Sequence, residues 1–114
     1  TINNIIIEEI NDTKEDGNNI CRLNKKDIKL PLYFRNRQNG DFIEIKGLNH
    51  KKKIKDIFID EKIPKRKRDE YPLLVDSDNN ILWIPNIKKS KFNAKKDEIY
   101  DIILRYCEKE ENNE

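Results

Sequence analysis

The sequence predicts a small, single α+β domain: a sheet core assembled from β-hairpins, with one main helix at about residues 51–63. Three observations carry that expectation. With 114 residues the chain can bury one hydrophobic core but not two. Its apolar runs are short, rich in Ile, Leu and aromatics, and separated by Asn-, Asp- and Gly-bearing turns, which is how short strands read. One stretch differs: Ile54, Ile57 and Phe58 fall at the i, i+3, i+4 spacing of a helix face. The core must be modest, because only 35% of residues are hydrophobic while 40% are charged.

The elements follow in order. Ile5, Ile6, Ile7 and Ile10 form a first strand or short apolar segment within residues 2–10, stopped by Asn11 and Asp12. Asp16, Gly17, Asn18 and Asn19 make a turn by composition. Residues 20–23 are a short strand, and residues 28–31 lead into the next. Residues 32–37 and 42–46 flank Gln38-Asn39-Gly40-Asp41, and Asn-Gly is a strong hairpin signal, so these two runs are expected to pair. Alternation then puts Tyr33, Arg35 and Arg37 on one face, successive members about 6.6 Å apart. Asn49 is the expected cap of the helix, Lys51, Lys52 and Lys55 face water across from its apolar stripe, and Pro64 ends it. Lys65, Arg66, Lys67 and Arg68 form a short helical turn before Pro72. Residues 73–75 and 81–84 are a second hairpin around 76–80, with Trp83 either in the core or on the surface as a stacking platform. Residues 99–106 fit a helix and a strand equally well. The domain is expected to occupy residues 1–107, with 108–114 an acidic, frayed tail.

Composition narrows the function classes. No apolar run approaches the length of a membrane span, and no charged-then-apolar leader opens the chain, so a cytoplasmic protein without a membrane partner is expected. The chain begins at Thr1 and contains no methionine, which leads us to expect a fragment or a processed chain. Cys21 and Cys107 lie far apart without metal-ligand spacing and read as buried or half-buried thiols. The net charge of +2 conceals a strong asymmetry: residues 25–96 carry a net +10 between acidic ends of −3 and −5. Counterion release makes such a centre favourable for phosphate backbones, with an affinity that falls steeply with salt.

The candidate phosphate contacts are Arg35, Arg37, Lys52, Lys53, Lys55, Lys65, Arg66, Lys67, Arg68, Lys88 and Lys89, expected to converge into one cradle. For Arg35 and Arg37 the alternative is pairing with Asp41 or Asp69 to hold the fold. Four consecutive cations at 65–68 repel one another unless an anion compensates them. His50, beside three lysines, reads as a loop residue rather than a phosphate ligand. No nucleophile–base pair can be built around it.

Arg35-x-Arg37-x-x-Gly40-Asp41, Lys52-Lys53-Ile54-Lys55-Asp56, Ile63-Pro64, Arg68-Asp69, Pro72-Leu73-Leu74 and Ile81-Leu82-Trp83-Ile84-Pro85 occur in this order. The series, over roughly residues 30–92, resembles the C-terminal domain of bacterial tRNA(Ile)-lysidine synthase. Asn86 stands where the family pattern favours Gly. The resemblance implies a sandwich-like sheet core similar to a module of phenylalanyl-tRNA synthetase, and it favours a strand at 99–106. It implies a full-length enzyme that uses ATP to join lysine to the wobble cytidine of an isoleucine tRNA. ATP and magnesium belong to an N-terminal catalytic domain whose Ser-Gly-Gly-x-Asp-Ser loop this chain lacks. This domain would position tRNA(Ile) by its acceptor-stem end, alongside its own catalytic domain, with a homodimer left open.

Two other classes compete. A protein-interaction module would dock the basic centre on an acidic partner or on the chain's own acidic ends. A metal-dependent nuclease is imitated by Asp41 with Asp60-Glu61-Lys62, which would have to lie on adjacent strands.

Overall fold

In a computed structural model, which describes residues 5–47 and 50–109, strands dominate. They run β1 (Ile5–Glu9), β2 (Ile20–Leu23), β3 (Tyr33–Arg35), β4 (Phe42–Ile45), β5 (His50–Lys53), β6 (Leu73–Val75), β7 (Ile81–Ile84), β8 (Lys88–Lys89) and β9 (Ile102–Glu108). Two short helices, α1 (Ile54–Asp60) and α2 (Lys65–Arg68), lie between β5 and β6, and a single 3-10 turn covers Lys25–Asp27. Antiparallel pairing yields three sheets: β1-β9-β2, β3-β6-β7-β8 and the two-stranded β4-β5.

The β6–β7 hairpin is the centre, because both its faces are covered. Every residue of both strands is buried, the continuous apolar reading of a strand with no solvent side. On one side Leu73, Val75, Ile81 and Ile84 pack with Ile43 of β4 and Ile54, Ile57 and Phe58 of α1. On the other, Leu74, Leu82 and Trp83 pack with Cys21, Leu23 and Ile102. Trp83 is therefore core rather than a surface platform; it is fully buried and its Nε1–H donates to the Asn18 carbonyl at 2.9 Å. The turn at 76–80 closes on Asp76, also fully buried. Its carboxylate accepts from the backbone N–H groups of Lys29, Asp78 and Asn80 and from Asn80 Nδ2, at 2.9–3.2 Å.

Several expectations require correction. Residues 32–37 and 42–46 do not pair: β3 pairs with β6 and β4 with β5. The chain does reverse at 38–41, with the Asp41 N–H on the Gln38 carbonyl at 3.1 Å. However, Gly40 has a positive φ (84°) and Asn39 does not. That is not the primed turn whose twist matches a two-residue hairpin, so the strands splay apart.

Residues 51–53 are strand, not helix. Three lysines in a first helical turn would oppose the positive end of the helix dipole. As β5, Lys52 pairs opposite Ile43 and α1 begins only at Ile54. The expected cap, Asn49, lies outside the described residues, and His50 opens β5 instead of sitting in a loop.

The helix ends before Pro64. Lys62 adopts φ 56°, the Ile63 N–H reaches the Phe58 carbonyl at 3.0 Å, and the Lys62 N–H reaches the Ile59 carbonyl at 3.0 Å. This is a Schellman closure, with Ile63 packed on the same apolar cluster as Phe58.

Residues 102–108 form a strand because β1 and β2 flank them on both edges. Glu108 thus belongs to β9, while residues 110–114 of the expected tail lie outside the described residues. Asn86, where Gly was expected, has φ 65°, a conformation Asn tolerates better than most residues. Cys21 is buried and Cys107 half-buried, and both are free thiols.

Candidate nucleic-acid interface

The splayed 38–41 turn borders a basic surface hollow. Three segments converge around a hollow of about 520 Å³: the 37–41 loop, the junction of β5 with α1, and the end of α2. Arg37, Lys53, Lys55 and Arg68 supply its cations; Asp41 and Asp69 are its carboxylates.

Arg35 and Arg37 have opposite roles although they are two residues apart. The Arg35 guanidinium is bidentate on Asp41, at 2.8 and 3.0 Å, and also donates to Asn79 Oδ1 and the Asn36 carbonyl. Its side chain is 12% exposed and that of Asp41 11%. Burial alone would push the Asp41 carboxyl up. The Arg35 hydrogen bonds, the Gln38 N–H at 2.7 Å and the Arg35 charge outweigh it and hold the group below the ordinary carboxylate value. Arg35 is accordingly a strut that fixes the loop, with four of its five N–H donors already used. Arg37 gives only its Nε to Asp69, at 2.9 Å, while its guanidinium rides over the Phe58 ring at 5.7 Å. Its two terminal nitrogens have no hydrogen bond among the described residues, and the residue lines the hollow.

Lys53 and Lys55 are exposed and have no ion pair with a described residue. The same holds for Lys65, Arg66 and Lys67 on α2. Arg68 is half-buried, its Nε anchored on the Ile63 carbonyl at 2.8 Å, so its remaining nitrogens are held at the hollow. Repulsion within 65–68 is thus relieved partly by geometry, with Arg68 half-buried on the Ile63 carbonyl and the other three exposed.

The remaining candidates go elsewhere. Lys52 does not line the hollow and pairs with Asp60 at 2.8 Å; that hydrogen bond keeps its ammonium above the ordinary lysine value. Lys88 and Lys89 line a separate hollow of about 280 Å³, together with Lys46 and Lys95, and Lys89 lies 3.4 Å from Asp16. The expected single cradle is not formed: Arg37, Lys53, Lys55 and Arg68 line one hollow, Lys88 and Lys89 another, and Lys65, Arg66 and Lys67 line neither. Lys46 and Lys95 were not foreseen, since they are far from Lys88 along the chain or hidden among other charges. The nuclease arrangement is not formed: Asp60 and Glu61 close α1 instead of lying on a strand beside Asp41. Among the described residues no group of three or more His, Cys, Asp or Glu could hold a metal ion, and no helix is long and apolar enough to cross a membrane.

The family pattern described as "TilS substrate C-terminal domain" matches residues 32–103. The tRNA(Ile)-lysidine synthase of Bacillus licheniformis is 51% identical over 79 residues, covering 69% of this chain and 17% of that protein. The tRNA(Ile)-lysidine synthase of a Bacillus cereus strain is 40% identical over 112 residues, covering 93% and 23%. The chain therefore spans about a fifth of the length of these relatives. A crystal structure described as the TILS C-terminal domain superposes with a TM-score of 0.80 at 37% identity, covering 94% of this chain and 85% of that one. An N-terminal fragment of the phenylalanyl-tRNA synthetase β-subunit from Pyrococcus horikoshii matches at a TM-score of 0.53 and 22% identity. It covers 90% of this chain and 28% of that one, and the likeness concerns the fold alone.

Proposed function

The chain belongs to the TilS substrate C-terminal domain family, and from that premise we propose that it is the tRNA-holding module of a tRNA(Ile)-lysidine synthase. In such an enzyme an N-terminal catalytic domain, with ATP and magnesium, joins lysine to the wobble cytidine of isoleucine tRNA in the cytoplasm. This chain's contribution is to hold the tRNA by its acceptor-stem end. Holding one end raises the effective concentration of the anticodon loop at the distant active site.

One observation carries the reading: cations from three separate segments meet around one hollow, and Lys53 and Lys55 have no ion pair with a described residue. Uncompensated ammonium groups held close together favour a polyanion. An RNA helix offers one through phosphates along a shallow minor groove, read by shape more than by base edges. Arg37, Lys53, Lys55 and Arg68 are assigned to one stretch of backbone, with Lys65, Arg66 and Lys67 beside it. Lys88 and Lys89 are assigned to a second stretch. Arg35 supports the loop, and Lys52 stays with Asp60.

The test is binding of isoleucine tRNA against an unrelated tRNA across a salt series. The triple variant Lys65→Glu, Arg66→Glu, Lys67→Glu changes only exposed side chains. It is expected to weaken binding and to flatten its dependence on salt. Unchanged affinity and slope would remove α2 from the interface, and absence of tRNA binding by the unmodified chain would overturn the reading.

A further inference from the structure

The loop at 38–41 walls two cavities, not one. The second is a cleft of about 250 Å³ whose other walls are Phe42, Glu44, Asn79, Asn80, Ile81 and Phe92. Its chemistry differs from that of the hollow. Phe42 is 41% exposed, one of several large apolar side chains that the strands leave open. Each aromatic has a lysine ammonium over its ring: Lys51 Nζ lies 4.6 Å from the Phe42 centroid and Lys91 Nζ 5.3 Å from that of Phe92. The exposed carboxamides of Gln38 and Asn39 have no hydrogen-bond partner among the described residues, so their donors and acceptors are available at the rim.

With a lysine over one face of each ring, the exposed part of Phe42, the free carboxamides and the adjoining cationic hollow match the parts of one nucleotide: a flat base, polar base edges and a phosphate. A paired base is stacked inside its helix and cannot enter such a cleft; an unpaired one can. We infer that the 38–41 loop seats one unpaired nucleotide of the bound RNA, with its phosphate in the cationic hollow and its base in the cleft of Phe42 and Phe92. This rests on the RNA-binding reading above and narrows it from any duplex to RNA with a single-stranded end or loop.

The experiment uses the 114-residue chain and two RNA hairpins with the same short single-stranded extension. In one the extension carries bases; in the other it is abasic, so phosphate number and charge are equal. The extension with bases is expected to bind about tenfold more tightly. Phe42→Ala should abolish that preference while leaving the salt slope unchanged, and Phe42→Tyr should restore it. Equal binding of both hairpins would overturn the inference and leave the RNA reading standing. A preference that survives Phe42→Ala would also overturn it. Failure to bind either hairpin would overturn both readings.

Discussion

Replacing Lys53 and Lys55 together with alanine removes two cations from the hollow without touching any hydrogen bond or ion pair of their side chains among the described residues. Each phosphate contact contributes about 0.9 to the slope of log affinity against log salt, so two contacts amount to about 1.8. Carried to about 0.1 M salt, a slope change of that size corresponds to roughly a sixtyfold loss of affinity. Stability should stay within about 0.5 kcal/mol of the unmodified protein, since both side chains are exposed. Lys52→Ala is the matched control: it removes the lysine next to Lys53 on β5, one paired with Asp60 and not lining the hollow. Fluorescence-anisotropy titrations of labelled tRNA at several salt concentrations give affinity and slope together. If the double variant kept the original slope, or if Lys52→Ala lowered it equally, the convergence of charge on this hollow would be refuted as the origin of binding.

Three further outcomes test the scaffold. Asp41→Asn should cost about 3 kcal/mol in urea unfolding, because Arg35 would stay largely buried without its counter-charge. It should also alter the acid limb. The Asp41 carboxyl is depressed in the fold, so its stabilisation is complete above its unfolded value of about 3.9 and fades as pH falls through the folded value; in Asp41→Asn that part of the acid loss should be absent. Asp76→Ala should cost about 3 kcal/mol in the same assay, since three backbone N–H groups lose a buried acceptor, whereas Asp76→Asn, which keeps one oxygen, should cost less. Lys62→Gly should raise stability by about 0.5–1 kcal/mol, because glycine occupies the left-handed position of the Schellman closure without steric penalty; a loss would refute the reading of that turn.

Much of the local structure was legible from neighbouring residues. β2 and the β6–β7 hairpin lie where short apolar runs and turn residues put them, and α2 occupies the expected basic turn. Ile54, Ile57 and Phe58 face the core as their spacing requires. These features depend on interactions within a few residues, which composition and period record. The basic centre was legible for the same reason, as a property of the chain rather than of its path.

Which partners those elements chose was not legible. Asn39-Gly40 announces a reversal, but the sign of one φ angle decides whether the flanking strands pair or part. Here they part, and the gap becomes the hollow. Residues 99–106 fit two periodicities until β1 and β2 take both edges of β9. Arg35 and Arg37 differ because folding carries Asn79 and Asp41 to one and sets the other, half-buried over Phe58, beside the exposed Asp69. Short-range pattern specifies strands, turns and charge. Long-range packing selects which cations are consumed by carboxylates and which are left for an RNA.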